Sequence, residues 1–312
     1  MEREGDVLEG VRLEFNDGNL LLLNLSIALI MFGVALSLKK ENFLDVVKHP
    51  RAVLTGIVSQ FILLPIVTFL LVWFSDPLPG LALGMILVAA CPGGNLSNFF
   101  SFLGKGNVAL SISLTTVASL AAIIFTPLNL QFWGSILGST NSLLRKVDIE
   151  FVEMFQTVAM IIAVPLILGV FVNEKFPRIS ALIQKPLKYI SVLILVAILV
   201  IAFTKNYNLF LQYYHYIIML VVFHNGLALA TGYLFSKIVG NSSQDTRSIT
   251  IETGIQNSGL GLVIIFTFFD GQGGMALITA WWGIWHIISG FAISQFFAYR
   301  VALKEQKLVI GS

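Results

Sequence analysis

Two short stretches gather polar side chains inside an otherwise greasy sequence: CPGGNLSN, from Cys91 to Asn98, and ITIETGIQNSGLGL, from Ile249 to Leu262. The second sets Glu252 beside Gln256 and Asn257, with Gly254, Gly259 and Gly261 around them. In the first, Pro92 removes a backbone donor, and Gly93 and Gly94 permit non-helical angles. A helix broken within a bilayer leaves carbonyls and N–H groups without partners, so each break must face protein or a water-filled cavity. Freed carbonyls and half-helix C-terminal ends suit small cations, while half-helix N-termini suit anions. The plain alternative is a packing kink relieved by neighbouring Ser and Asn, and two breaks with the same chemistry weigh against it.

Glu252 sharpens the argument. An acid at the centre of a membrane helix costs about 3 kcal/mol, so it is either protonated or balanced by a cation. A hard cation prefers oxygen ligands, and this stretch supplies carboxylate, amide and backbone oxygens. Nothing thiol-rich or imidazole-rich is nearby, which argues against a transition metal. A neutral Glu in a hydrogen-bond network, or a pair with Arg247, is the competing account. Ser111, Thr115 and Ser119 recur at steps of four in NVALSISLTTVASLAAIIF. That spacing puts their hydroxyls on one helix face, an arrangement that also serves plain helix packing. Gln60 is a lone amide in AVLTGIVSQFILLPIV, shortly before Pro65. His224 and His286 suit a packed, hydrogen-bonded histidine as well as a functional one.

The elements that position these groups are membrane helices. Hydrophobic residues make up 56% of the 312 residues and charged residues 12%, against about 25% charge in a soluble domain. A spanning helix needs about 20 mostly apolar residues. By that length nine candidates appear, near 19–38, 52–75, 80–105, 107–131, 151–173, 187–204, 214–236, 245–270 and 275–299. Lys and Arg collect in alternate loops, which predicts an outside N-terminus and a cytoplasmic C-terminus. The basic stretch 39–51, KKENFLDVVKHPR, is expected to lie at the cytoplasmic interface. The net charge of +2 offers nothing to nucleic acid, the single Cys91 forms no intramolecular disulfide, and the acidic first 18 residues do not resemble a signal peptide.

The third and eighth segments carry the breaks and run in opposite directions, the arrangement of a transporter built from inverted repeats. The expected fold is therefore all-α and polytopic, a five-plus-five plan without its first helix. It has an extracellular arm over 1–18, one transporter domain over 19–300 (repeats near 19–131 and 151–300) and a cytoplasmic tail over 301–312.

CPGGNLSNFFSFLGKGNVALSISLTT and ITIETGIQNSG resemble the two signature regions of the bile acid:sodium symporter family, and the PGGNLSN spelling and nine spans are similar to its animal members. The resemblance implies two crossing discontinuous helices, a core domain and a panel domain that rocks against it. It implies two Na+ sites, one at Ser97, Asn98, Ser111, Thr115 and Glu252, the other at Gln60, Glu252 and Gln256 with the carbonyls of Thr253 and Ile255. It places Asn95, Asn257 and His286 near an organic anion substrate, and Ile287 where some bacterial members have a polar residue. Sodium-coupled uptake of a carboxylate or sulfonate is the function expected, at the plasma membrane and in an oligomeric state the sequence does not set. The competing reading is a proton-coupled carrier or exporter with Glu252 as the proton carrier. A membrane enzyme lacks the His and acid spacings or nucleophile motif it would need.

Overall fold

A computed structural model of the chain describes residues 17–36, 50–94, 96–147, 151–205 and 207–310. The arm over 1–16, most of the connector over 39–51 and Asn95 lie outside the described residues. Among the described residues the secondary structure is thirteen α-helices and one π-helical turn, without a named strand. Helix α1 is Asp17–Ala35, α2 Pro50–Val58, α3 Leu64–Ser75, α4 Pro79–Ala90 and α5 Leu96–Leu103. Then come α6 Val108–Ile136, α7 Gly138–Val147, α8 Phe151–Lys175 and α9 Pro177–Lys205. The chain ends with α10 Tyr207–Val239, α11 Ser243–Gly254, α12 Ser258–Phe268 and α13 Gly273–Ile310.

Among the described residues five runs are long and apolar enough to cross a membrane by themselves: Pro50–Ser75, Val108–Ile136, Phe151–Lys175, Ile217–Val239 and Gly273–Lys307. Shorter apolar helices occur at Leu21–Gly33, Pro79–Ala90 and Ser258–Phe268. The chain is thus an all-helical integral membrane protein. The third and eighth predicted segments are each split into two half-helices, α4 with α5 and α11 with α12. The polar stretch near 132–150 is helical over most of its length, the end of α6 followed by α7, and the residues expected as a tail continue α13 to Ile310.

Between α2 and α3 lies the π-helical turn Ser59–Leu63, where the Leu64 N–H reaches back to the Ser59 carbonyl. Its cause is local. Pro65 has no N–H, so the Phe61 carbonyl four residues earlier loses its helical donor. The Asn129 amide from α6 donates to that carbonyl at 3.1 Å. Gln60 rides on this turn, fully buried.

The helices pack around shared apolar cores. α1 lies against α8 and α9, while α10 and α13 enclose the second broken helix and α4. Buried apolar side chains of α1, α4, α6, α8 and α12, among them Leu23, Leu87, Ala118, Val158 and Val263, form one continuous core. Trp282, Ile217 and Met85 belong to a second core between α4, α10 and α13.

Candidate functional site

The two breaks meet. Gly93 and Gln256 face each other as an isolated antiparallel bridge. The Gly94 N–H donates to the Ile255 carbonyl at 2.6 Å, and the Asn257 N–H donates to the Pro92 carbonyl at 2.8 Å. Each broken helix thereby supplies backbone partners the other lost, a requirement that membrane burial imposes. Two carbonyls at the half-helix ends are capped from outside the pair. Thr126 Oγ1 donates to the Ala90 carbonyl at 2.7 Å, and the Asn225 amide donates to the Gly254 carbonyl at 2.8 Å. Asn257 caps α12, its side-chain oxygen accepting from the Leu260 N–H at 3.1 Å.

Glu252 is 1% exposed, in the last turn before the second break. Ser97 Oγ donates to its Oε2 at 2.5 Å, and Ser111 Oγ donates to the same oxygen at 3.3 Å. Thr115 Oγ1 donates to Oε1 at 2.7 Å. Thr115 also lies 3.3 Å from Asn98 Oδ1, and Ser101 donates to Ser111 at 3.1 Å. All these hydroxyls are buried. The carboxylate thus sits where α5, α6 and α11 converge, and three of its ligand groups come from helices far away in sequence. Gly93 is needed beside it, because a Cβ there would overlap the carboxylate.

A second group of oxygens lies toward the π-turn. Ser59 and Thr253 hydroxyls are 3.0 Å apart, and Gln256 Nε2 donates to the Thr253 carbonyl at 2.7 Å. Both polar atoms of the Gln60 amide, and Gln256 Oε1, are buried without hydrogen-bond partners among the described residues. Leaving buried polar atoms unmade is costly, so these amide oxygens are donors available to a small cation. The Ile255 carbonyl already accepts from Gly94 and keeps one free lone pair.

His286 is buried on α13 between Gly283, which abuts Ser258, and Gly290, which abuts Phe100 and Ile255, so it stands beside the crossing. Its Nδ1 is without a hydrogen-bond partner among the described residues. His224 is held elsewhere, hydrogen-bonded to Thr68 at 2.7 Å and packed on Trp282 with ring centroids 4.7 Å apart. Arg247 does not pair with Glu252; its guanidinium donates to the Lys105 carbonyl. Ser119 donates to the Thr115 carbonyl at 2.7 Å, a structural bond within α6.

The structure therefore brings together Ser97, Asn98, Ser111, Thr115 and Glu252, and separately Thr253 and Gln256, with Gln60 on the adjoining turn. The sequence reading missed Ser59, Asn129, Asn225 and Thr126. Asn225 and Asn129 are polar residues in apolar runs, a signal equal to that of Gln60. Among the described residues no group of three or more His, Cys, Asp or Glu side chains could hold a metal ion, so the oxygen donors here are hydroxyls, amides and carbonyls around one acid.

A buried carboxylate where two interrupted membrane helices pair is the architecture of a transporter built from inverted repeats. Residues 24–213 match the sodium bile acid symporter family, and the chain belongs to it. It is 31% identical over 280 residues to the uncharacterized sodium-dependent transporter YocS of Bacillus subtilis, covering 89% of this chain and 84% of that protein. It is 27% identical to the human ileal sodium/bile acid cotransporter over 78% of this chain and 68% of that protein. It is 26% identical to the probable chloroplastic sodium/metabolite cotransporter BASS1 of Arabidopsis thaliana over 78% of this chain and 58% of that protein.

Proposed function

We propose that this chain is a sodium-coupled symporter that takes up an organic anion, a bile acid or similar carboxylate or sulfonate, by alternating access. The observation that carries the proposal is Glu252, buried at the crossing with both oxygens held by hydroxyl donors. A carboxylate in that position needs a compensating positive charge. Ser97, Ser111 and Thr115 spend their protons on Glu252, which leaves their oxygen lone pairs for a hard cation. One Na+ takes these hydroxyls, Asn98 and Glu252. A second takes Gln60, Gln256, Glu252 and the Thr253 and Ile255 carbonyls, and the unpartnered Gln60 and Gln256 oxygens support it.

The chain crosses the plasma membrane nine times with its N-terminus outside, as inverted repeats near 19–131 and 151–300. α1, α8 and α9 form the panel, and the remaining helices form the core that holds the ions. The substrate anion sits near the crossing beside Asn257 and His286, with Asn95 assigned to it by the family resemblance alone. Sodium knits the breaks together and so biases the core toward the state that binds substrate.

The test is uptake of labelled bile-acid conjugates and simpler carboxylates into proteoliposomes, with external Na+ replaced by K+. Uptake should require Na+, and Glu252→Gln should abolish it. Uptake driven by a pH gradient and indifferent to the cation swap would replace this reading with a proton carrier.

A further inference from the structure

A groove of about 970 Å³ opens between the ends of α10 and α13 and the start of α11, and its lining reaches Thr250, two residues before Glu252. Its lining changes character along its length. On α13, Ile293, Phe296 and Phe297 are followed by Arg300, Lys304 and Lys307. On α10, Leu229 and Ala230 are followed by Tyr233 and Lys237. Spacings of three and four keep each series on one helix face. With a rise of 1.5 Å per residue, the apolar part and the cationic part of α13 are separated by roughly 10 Å. Arg247 reaches the same groove from α11 with its guanidinium already oriented by the Lys105 carbonyl.

Glu305 is the one acid among these lining residues. Among the described residues none of Lys237, Arg247, Arg300, Lys304 and Lys307 forms an ion pair, so the groove carries uncompensated positive charge. Two of the cations are braced against rings, with Lys237 Nζ 6.0 Å from the Tyr233 centroid and Arg300 Cζ 5.9 Å from the Phe296 centroid. Such bracing holds the charges at the wall while the ring bodies stay apolar.

We propose that this groove is a binding site for one anionic phospholipid. Its phosphate lies among Arg247, Arg300, Lys304 and Lys237, and an acyl chain runs along Phe297, Ile293 and Leu229. Charge complementarity selects the headgroup, and the apolar half selects a lipid over a soluble anion. A protein partner would need a matching acidic surface at bilayer depth, where Phe296 and Tyr233 face outward. The leaflet follows from the proposed orientation, which makes it the cytoplasmic one; the chemistry of the groove does not depend on that orientation. Because α11 also carries Glu252, a lipid here ties the foot of the ion-binding half-helix to α13.

The full chain, purified in detergent and incubated with equal dioleoyl phosphatidylglycerol and dioleoyl phosphatidylcholine, is examined by native mass spectrometry. Wild type should retain the glycerol lipid at least fivefold over the choline lipid. The Lys237→Gln, Arg300→Gln, Lys304→Gln triple variant should lose that preference, while Lys175→Gln, Arg178→Gln, Lys185→Gln at the α8–α9 junction should keep it. Arg300→Lys, which conserves charge, should retain most of it. Equal retention of the two lipids by wild type overturns the site without recourse to any variant. Displacement of the lipid by millimolar inorganic phosphate alone overturns it in favour of a soluble-anion site.

Discussion

Glu252 is held unequally on its two oxygens, and the inequality makes a graded prediction. Among the described residues Thr115 supplies the sole hydroxyl on Oε1, at 2.7 Å, and Ser97 supplies the short bond to Oε2 at 2.5 Å. Ser111 adds a longer contact of 3.3 Å. Hydrogen bonds to a charged group contribute about 1.5–3 kcal/mol, and each 1.4 kcal/mol is about tenfold in affinity. Thr115→Val keeps the side-chain shape and removes the donor. It should raise the sodium concentration for half-maximal uptake about tenfold, and Ser97→Ala should do the same. Ser111→Ala should raise it by a smaller factor, and Gln256→Ala should raise it through the second ion. Sodium titrations of uptake rate check the order; a Ser111 effect larger than that of Thr115 would contradict the geometry. Ser119→Ala is the control, because its hydroxyl bonds the Thr115 carbonyl and stays away from the carboxylate.

The elements around the site fold as they do because two prolines remove helical donors, a few glycines let the backbone leave the helix, and distant groups supply the missing partners. Asn129 shows this most cleanly, since it donates to the carbonyl that Pro65 leaves open and accepts from Trp133 Nε1 at 3.1 Å. Asn129→Leu orphans a buried carbonyl, which costs about 1–3 kcal/mol, and the melting temperature in detergent should fall by several degrees. Adding Pro65→Ala restores a backbone donor, so the double variant should recover the part of the loss due to Phe61. Simple additivity of the two changes would refute this account of the π-turn. Both breaks were legible in the sequence because Gly, Pro and polar residues interrupt apolar runs. The serine and threonine stripe on α6 was legible from its spacing. The backbone pairing of Gly93 with Gln256 was not, because the partners are far apart along the chain and neither residue type announces a bridge. The π-turn was equally hidden, since Gln60 and Pro65 look the same in a regular helix. Helix ends were misjudged where hydropathy stops and hydrogen bonding continues, as at the tail of α13 and the start of α9.

At the scale of the whole molecule, α1 packs on α8 and α9 and shares an apolar core with α4, α6 and α12; for the proposed symporter, charge decides what a transport cycle is worth. Two Na+ carried with one monovalent anion transfer one net positive charge inward per cycle. Each such charge gains about 2.3 kcal/mol per 100 mV of inside-negative potential, equivalent to about a 40-fold higher attainable accumulation ratio. One Na+ with the same anion transfers no net charge and gains nothing from the potential. Proteoliposomes loaded with K+ and treated with valinomycin separate the two cases. With a fixed sodium gradient, imposing the inside-negative potential should speed and deepen uptake, and collapsing it with external K+ should reverse the gain. Gln60→Leu removes an oxygen assigned to the second ion and leaves the Ser97–Thr115 cluster intact. Transport that survives in this variant should become insensitive to the potential, with a Hill slope for sodium that drops toward one. Uptake by wild type that ignores the potential would reduce the stoichiometry to a single ion and leave the unpartnered Gln60 amide without a transport role.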